Sequence, residues 1–313
     1  MKKDKIYIVG SGAIGKALAV FLKLENKDVI LVRGSVDHVP AKEILITVTN
    51  QDNQKFQQRI MTTTFSHLTS INGIVVIATK AFANAELARK LKNIKGDFSI
   101  VLLQNGLNIE KPFEFFDRIY RCVLFSGGQV ANDYGVAFKM VAPSLVGNIQ
   151  GRNSNLDKIV NQINTSYFSF KSDSNILKHV WNKVIINCAF NSICPLLEID
   201  NGIFHRNAEA AKLAKIIIEE CVVLANKYEI ALDPKEIAKD LMMISKHSEG
   251  QLVSTYQDIK NKRRTEIESL NLEISRLADE VGISELVTTT KLLGKIIQIK
   301  SKVKIKQDLL KKY

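Results

Sequence analysis

Residues 5–24 read KIYIVGSGAIGKALAVFLKL, and an apolar run at Val29–Val32 follows them closely. The run Lys5–Gly10 predicts a short buried strand, Ala13–Leu24 predicts a helix, and Val29–Val32 predicts a second strand. A strand, a glycine turn, a helix and a strand within roughly thirty residues form the pattern of a βαβ unit. The chain is therefore predicted to open with a parallel α/β sheet.

The turn between the first strand and the helix is rich in glycine. Gly10 permits a tight turn, Gly12 lets the backbone approach a phosphate, and Gly15 lets the helix pack on the strand. The N–H groups and positive dipole at a helix N-terminus suit a pyrophosphate. This pattern predicts a Rossmann-type dinucleotide site and hence an oxidoreductase. The turn residues expected to contact the cofactor are Gly10, Ser11, Gly12, Ala13, Ile14 and Gly15.

Arg33 stands at the end of the second predicted strand. A site for NAD carries an acidic residue here to hold the ribose hydroxyls, and such an acid would repel the extra 2′-phosphate of NADP. A guanidinium can instead bind that phosphate through two hydrogen bonds. Arg33 therefore favours NADP(H) as the cofactor.

Two further polar residues follow predicted strands of the same half, Lys80 after the run 74–78 and Asn105 after the run 100–103. Ligands of open parallel sheets bind beyond the carboxyl ends of the strands. We therefore expect Lys80 to lie near a bound ligand and Asn105 to contact cofactor or substrate. Turn formation is an equally good explanation of the pair Asn105-Gly106.

The second half of the chain has a helical pattern almost throughout. Helices are predicted at 156–163, 176–191, 208–228, 234–245, 266–281 and in the tail 291–313. The first half adds a strand at 44–48, helices at 83–92 and around 109–116, and closing strands within 120–146. The predicted fold class is α/β, with an N-terminal Rossmann-type doubly wound sheet and a C-terminal all-helical domain. Residues 1–151 are expected to form the NADP-binding domain, and residues 152–313 the helical substrate and catalytic domain.

Lys183, Asn187 and Asn191 follow one another at four-residue steps in a predicted helix that is otherwise apolar. They therefore share one helix face. Buried polar groups require partners, so this stripe makes a poor core and a good ligand-binding surface. A plain solvated face is the alternative.

These features together resemble the ketopantoate reductase family, whose members reduce 2-dehydropantoate with NADPH. The resemblance rests on the glycine turn, Lys80, the turn Gln104-Asn105-Gly106, the Lys183 stripe, and the segment from Ser254 through Gln257-Asp258 to Thr265-Glu266-Ile267-Glu268. It spans residues 5 to about 283 and implies reduction of 2-dehydropantoate to (R)-pantoate in pantothenate biosynthesis.

The resemblance also implies roles for individual residues. Lys183 would be the general acid that protonates the ketone oxygen, which agrees with the ability of an ammonium group to stabilise a developing alkoxide. Glu266 would bind the substrate hydroxyl and orient the lysine. Ser254 would bind the substrate carboxylate. The remaining substrate contacts would come from Asn105, Asn187, Asn191 and, where the family has an asparagine, Gln251. Lys80 and Asn105 would border the nicotinamide end of the cofactor.

Several positions depart from the family pattern, among them Gln251, Tyr256 and Leu272. The changes leave the proposed hydride and proton chemistry intact but bear on the choice of substrate. A 2-hydroxyacid dehydrogenase that reduces a different 2-oxo acid is therefore the alternative. A non-catalytic NADP-binding protein is a third hypothesis, against which the joint presence of Lys183 and Glu266 argues.

The composition is that of a globular protein, with 313 residues, 46% hydrophobic residues and a formal net charge of +12. The lysines are spread along the chain, so a solvated basic surface is expected, with no nucleic-acid or membrane partner. The four cysteines show no CxxC spacing, which favours buried free thiols in a reducing cytoplasm and no metal site. Both a homodimer through the helices and a monomer are compatible with the sequence.

Overall fold

The computed structural model of the chain describes residues 5–149 and 155–310, and they divide into two compact units. The first unit holds the described residues up to Gln104 together with Ile109–Ile176. The second holds Asn105–Asn108 and the described residues from Leu177 onward. The predicted boundary between residues 151 and 152 lies outside the described residues, and the residues 155–176 that follow it group with the first unit.

The first unit is built on one mixed sheet. Its strands are β1 (Lys5–Val9), β2 (Val29–Arg33), β3 (Lys42–Thr49), β4 (Lys55–Thr64), β5 (Gly73–Ile77), β6 (Phe98–Leu102), β7 (Ile119–Val123), β8 (Ser126–Val130), β9 (Gly135–Met140), β10 (Ser144–Asn148) and β11 (Phe170–Ser172). Among the described residues these eleven strands lie in the order β11-β10-β7-β6-β5-β1-β2-β4-β3-β9-β8. Its helices are α1 (Ala13–Leu24), α2 (Asn84–Lys92) and α3 (Leu156–Ile163).

The central strand β1 pairs in parallel with β2 on one side and with β5 on the other. Successive strands are therefore added first on one side of β1 and later on its opposite side. Such a reversal of strand order opens a crevice at the carboxyl end of the central strand, where ligands of α/β sheets bind. Gly10 directly follows β1 and lies at this end.

Side chains of β1 alternate between the two faces of the sheet. Ile6 and Ile8 pack into a core that includes α1, whereas Tyr7 and Val9 pack into a second core that includes Leu87 of α2. Successive residues of a strand point to opposite faces, so a strand that is covered on both faces is apolar without interruption. This explains why β1 reads as a continuous apolar run and confirms the predicted doubly wound sheet.

A buried amide pair joins the ends of β5, β6 and α2. Asn84 Nδ2 donates to Gln104 Oε1 over 2.9 Å, and Gln104 Nε2 donates to Asn84 Oδ1 over 2.6 Å. Asn84 Nδ2 also donates to the Ile109 carbonyl, and Gln104 Nε2 donates to Thr79 Oγ1. These bonds satisfy two almost fully buried amides and fix the loops that follow β5 and β6.

Replacement of Asn84 by alanine is expected to lower the free energy of unfolding by about 2 kcal/mol, because it leaves the buried Gln104 amide without its partner. Chemical denaturation would measure the change. Asn93→Ala is the matched control, since Asn93 is exposed at the other end of α2. Equal losses of unfolding free energy in the two variants would show that the buried amide pair does not provide the expected stabilisation.

The second unit is helical, as predicted. Its helices are α4 (Ile176–Leu197, which begins in the first unit), α5 (Ile203–Arg206), α6 (Ala208–Lys227), α7 (Pro234–His247), α8 (Ser254–Lys260), α9 (Asn271–Glu280) and α10 (Thr288–Leu310). The carboxylate of Glu220 on α6 accepts hydrogen bonds from the backbone N–H groups of Thr289 and Thr290. It therefore caps the N-terminus of α10, where a negative charge is favourable.

The predicted helix 176–191 continues to Leu197, whereas two other predicted helices are shorter than expected. The region 109–116 holds only a short 3-10 turn, Lys111–Phe113, because the Ile109 carbonyl is bonded to the Asn84 side chain. The predicted helix 266–281 begins only at Asn271, after a 3-10 turn at Ile267–Ser269. Strands β4 and β11 and helices α5 and α8 were not predicted.

All four cysteines are free and buried, as the composition indicated. Burial raises the pKa of the Cys194 thiol to about 12, so this thiol stays protonated and unreactive at neutral pH. Across residues 5–149 and 155–310 no helix has the length and apolar character that spanning a bilayer requires. The same residues contain no group of three acidic, histidine or cysteine side chains placed to hold a metal ion.

Candidate functional site

The glycine turn of the first unit is shaped by close backbone contacts. Gly10 has a φ of +120°, and a Cβ there would lie 2.9 Å from backbone atoms of Ala78 and Thr79. A Cβ on Gly15 would collide with the Gly10 carbonyl oxygen. Both positions therefore require glycine for the turn itself, independently of any ligand.

Gly12 differs, because a Cβ added there would meet no atom of the protein within 4 Å. Gly12 is the N-cap of α1, no side chain caps this helix end, and its first turn contains no acidic residue. The N–H groups of the first turn are thus open to an anion, which the helix dipole favours. This arrangement fits a dinucleotide pyrophosphate, and the residues that would line it are Gly10, Ser11, Gly12, Ala13, Ile14 and Gly15.

Lys16 adds positive charge just behind the turn. It is 7% exposed, and its Nζ donates to the Asp133 carbonyl over 2.6 Å. Burial lowers the pKa of Lys16, while the nearby Asp133 charge acts in the opposite direction. The sequence offered no signal for this contact, which joins residues 117 positions apart.

The contrast between Gly12 and Gly15 leads to a prediction. Gly12→Val is expected to lower the unfolding temperature only modestly, because its Cβ meets no protein atom within 4 Å although valine is a poorer N-cap than glycine. It is expected to weaken dinucleotide binding more than about tenfold, because the side chain occupies the space that the ligand needs. Gly15→Ala is expected to destabilise the fold, since its methyl group meets backbone. Thermal unfolding and fluorescence titration with NADPH would separate the two effects; a Gly12→Val variant with full affinity would contradict the assignment.

Arg33 is the last residue of β2 and is half-buried. Its guanidinium makes no hydrogen bond or ion pair within the part of the chain that the structure describes. The loop behind it is held by Asp37, whose Oδ1 accepts from the N–H groups of Ser66 and His38. Hydrogen bonds from Ser66 keep the pKa of Asp37 well below its usual range. Arg33 thus lies beside an ordered loop with its charge available for an anion.

Lys80 follows β5 and precedes the 3-10 turn Ala81–Ala83. It is half-buried, and its backbone carbonyl accepts from the N–H of Ala83. The neighbouring Thr79 is held by the amide pair described above. Lys80 therefore lies at the carboxyl end of a central strand, as predicted.

In the second unit, α4 carries Lys183, Asn187 and Asn191, so the predicted spacing along one helix is confirmed. Lys183 and Asn187 are half-buried, whereas Asn191 is only 2% exposed. The Asn187 carboxamide makes no hydrogen bond within the described residues, although its backbone carbonyl accepts from Asn191 Nδ2 over 2.9 Å. Of the two asparagines, Asn187 is therefore the one with polar atoms available to a ligand.

The Asn191 carboxamide is committed to the protein. Its Oδ1 accepts from Ser254 Oγ and from the Thr255 N–H, each over 3.4 Å. These bonds tie α4 to the first turn of α8 and bring Ser254 beside the stripe. The structure therefore joins Ser254 to Asn191 and gives Asn191 a supporting position. The substrate contacts of Asn187 and Ser254 stay predictions.

Glu266 lies in the buried stretch before α9 and is 9% exposed. Its carbonyl accepts from both the N–H and the Oγ of Ser269. Gln251, by contrast, is exposed, and only its backbone is bonded to neighbouring segments, with its carbonyl accepting from the Asn201 N–H over 2.9 Å. A buried carboxylate is consistent with a site residue, whereas the exposed Gln251 side chain offers no such support.

Asn201 was not singled out from the sequence. Its Oδ1 is buried and finds no hydrogen-bond donor among the described residues, while its backbone contacts Gln251. A buried acceptor without a partner is suited to a ligand donor. The sequence did not reveal Asn201, because Asp200-Asn201-Gly202 consists of residue types that are typical of turns.

Asn105 belongs to the second unit, although strand β6 and residue Gln104 before it belong to the first. Its carboxamide makes no hydrogen bond within the described part of the chain, and the side chain is half-buried. Gly106, beside it, has a φ of +112°. Asn105 thus presents an uncommitted amide on the unit that also carries Lys183 and Glu266.

Family models match most of the chain. Residues 6–148 match the ketopantoate reductase PanE/ApbA model, and residues 175–300 match the model for the PanE/ApbA C-terminal region. The 2-dehydropantoate 2-reductase of Streptococcus pyogenes is 26% identical over 286 residues, which cover 89% of this chain and 92% of that protein. The enzyme of the same name from Pyrococcus horikoshii is 27% identical over 288 residues, with the same coverage.

Solved structures share the fold. D-mandelate dehydrogenase with NADH and anilino(oxo)acetate has a TM-score of 0.84 at 22% identity. A dimeric ketopantoate reductase from Staphylococcus aureus has a TM-score of 0.81 at 19% identity. Each comparison covers 96% of this chain and 99% of the other. The chain belongs to the ketopantoate reductase family of oxidoreductases.

Proposed function

We propose that the protein reduces 2-dehydropantoate to (R)-pantoate with NADPH, the step that supplies pantoate for pantothenate synthesis. The observation that carries this proposal is the half-buried Lys183, one helical turn from the uncommitted Asn187 carboxamide, in a unit that also holds the buried Glu266. An ammonium group can donate to the ketone oxygen of a hydroxylated 2-oxo acid, an amide can bind its other oxygens, and a carboxylate can accept from its hydroxyl group. The free, buried cysteines fit the reducing cytoplasm in which we propose that it acts.

The first unit carries the residues proposed to hold NADPH. The open N–H groups of the Gly10–Gly15 turn would bind the pyrophosphate, Arg33 the 2′-phosphate, and Lys80 would lie toward the nicotinamide. When bound, the reduced nicotinamide supplies the hydride that reduces the ketone carbon. The choice of NADPH rests on Arg33, whose guanidinium is uncommitted within the described residues.

Lys183 supplies the proton. Its ammonium group would donate a hydrogen bond to the ketone oxygen and polarise the carbonyl group. As the ketone carbon accepts the hydride, negative charge develops on the oxygen and the proton at Nζ passes to it, so that no free alkoxide forms and Lys183 is left as a neutral amine. The family as a whole implies this role, and the half-buried position of Lys183 on α4 supports it.

The remaining groups hold the substrate. Ser254 would donate its hydroxyl hydrogen to the substrate carboxylate in place of Asn191 Oδ1. Asn187 and Asn105 would bind the polar oxygens of the substrate. Glu266 would accept a hydrogen bond from the substrate hydroxyl, a role that its buried carboxylate can fill. Asn191 would act through Ser254, because its own amide atoms are bonded to Ser254, Thr255 and Asn187.

Oxidation of NADPH by a panel of 2-oxo acids tests the proposal. The specificity constant kcat/KM is expected to be largest for 2-dehydropantoate. A larger kcat/KM for another 2-oxo acid would favour the alternative, a 2-hydroxyacid dehydrogenase of different specificity. That alternative arises because Gln251 and Tyr256, close to Ser254 in the sequence, depart from the family pattern. Failure to reduce any 2-oxo acid would leave a non-catalytic NADP-binding role.

A further inference from the structure

The turn that carries Asn105 is fastened to the segment before α9 and to α9 itself. The N–H of Leu107 donates to the Ser269 carbonyl over 3.0 Å. Asn108 Nδ2 donates to Glu273 Oε1 over 2.7 Å. We call the residues Gly106, Leu107 and Asn108, with their partners Ser269 and Glu273, the clasp.

The backbone of the clasp is adapted to this contact. A Cβ on Gly106 would lie 2.6 Å from both Cβ and Oγ of Ser269, so only glycine permits the approach. Asn108 has a φ of +54°, a left-handed conformation that asparagine adopts more readily than most residues. The residue types at both positions therefore match what the clasp requires.

Glu273 is the charged centre of the clasp, and its side chain is 13% exposed. Oε1 accepts from Asn108 and from Arg276 Nη2, the latter over 2.5 Å, and Oε2 accepts from Arg276 Nε over 2.8 Å. The other terminal nitrogen of Arg276 donates to the exposed Glu280. Glu273 is thus held rigidly by the guanidinium and in turn holds Asn108.

We propose that Glu273 is a positioning residue for the reaction: through Asn108 it fixes the turn that presents the Asn105 carboxamide to the 2-oxo acid. The inference rests on the proposed function. It places Asn105 with the substrate-binding residues of the second unit, because the clasp fastens the turn to the same unit that carries Lys183 and Glu266. Small displacements of a binding group can lower a rate by up to about 100-fold.

Two variants open the clasp. Glu273→Ala removes the acceptor, and Asn108→Gly removes the donor while keeping a residue that tolerates the left-handed backbone. Each is expected to lower kcat/KM for the 2-oxo acid about tenfold, and the double variant is expected to be no worse than either single one. Glu273→Gln should recover most of the activity, since its amide oxygen can still accept from Asn108.

Glu280→Ala is the matched control, because Glu280 binds the same Arg276 without touching Asn108. It should retain kcat/KM. Amide hydrogen exchange, measured without cofactor or substrate, supplies a second readout: exchange at Leu107 should accelerate in Glu273→Ala and Asn108→Gly but not in Glu280→Ala.

Unchanged activity or unchanged exchange at Leu107 in both clasp variants would overturn the inference, as would an equal loss in Glu280→Ala. If the unaltered protein reduced no 2-oxo acid, the proposed function and the positioning role would fall together. If it were active and Glu273→Ala were equally active, only the positioning role would fall.

Discussion

Replacement of Lys183 by alanine is expected to lower kcat by about 10²- to 10⁴-fold, the range that loss of a positioned general acid produces. The ketone oxygen would then gain negative charge without a proton donor beside it. The measurement is the rate of NADPH oxidation with saturating 2-dehydropantoate. Affinity for NADPH should stay nearly the same, because the proposed partner of Lys183 is the ketone oxygen of the substrate and not an atom of the cofactor.

Lys178→Ala is the matched control, since Lys178 lies on the same helix α4 but is exposed. It should retain full turnover. That result would show that the loss of a positive charge from α4 does not by itself lower kcat in Lys183→Ala. Lys183→Arg keeps the charge but is a far weaker proton donor, so it should recover little activity. Turnover that survives in Lys183→Ala would rule out this lysine as the acid and with it the proposed proton transfer.

Replacement of Arg33 by alanine is expected to weaken NADPH binding about 10- to 100-fold while leaving NADH binding nearly unchanged. A hydrogen bond to a charged group contributes about 1.5–3 kcal/mol, and the 2′-phosphate that Arg33 would contact is absent from NADH. Fluorescence titration with the two cofactors gives both affinities. The affinity ratio is the informative quantity, because general damage to the fold would weaken both.

Arg59→Ala controls for the overall charge, since Arg59 is exposed on β4 of the same unit. It should change neither affinity. Equal weakening of NADPH and NADH in Arg33→Ala would refute specific recognition of the phosphate. A chain that preferred NADH before any substitution would refute the NADPH assignment altogether.

The backbone of the candidate cofactor site follows almost entirely from the sequence, whereas its contacts with a cofactor stay predictions. The turn Gly10–Gly15 and the end of β2 lie within about thirty residues, and their geometry depends on local backbone freedom and on strand and helix periodicity. The structure adds a distinction that the pattern lacked: Gly10 and Gly15 serve the turn, whereas Gly12 leaves room for a ligand.

Local periodicity failed where a distant group competes for the backbone. The Ile109 carbonyl, which a helix over 109–116 would use, is bonded to Asn84. The Ser269 carbonyl, inside the predicted helix 266–281, accepts from Leu107 instead. In both cases a tertiary hydrogen bond replaces an intrahelical one, and the apolar spacing alone carries no sign of it.

The spacing of residues was sufficient to place Lys183, Asn187 and Asn191 on one helix, because a helical face follows directly from the 3.6-residue period. It could not show that Asn191 Oδ1 accepts from Ser254 and Thr255, whereas the Asn187 carboxamide makes no hydrogen bond within the described residues. Those commitments depend on which helices pack together. The position of Asn105 was equally hidden. Asn105 belongs to the helical unit, to which the clasp between Asn108 and Glu273 fastens its turn. Because these two residues are 165 positions apart, their contact arises from tertiary packing and not from a local sequence pattern.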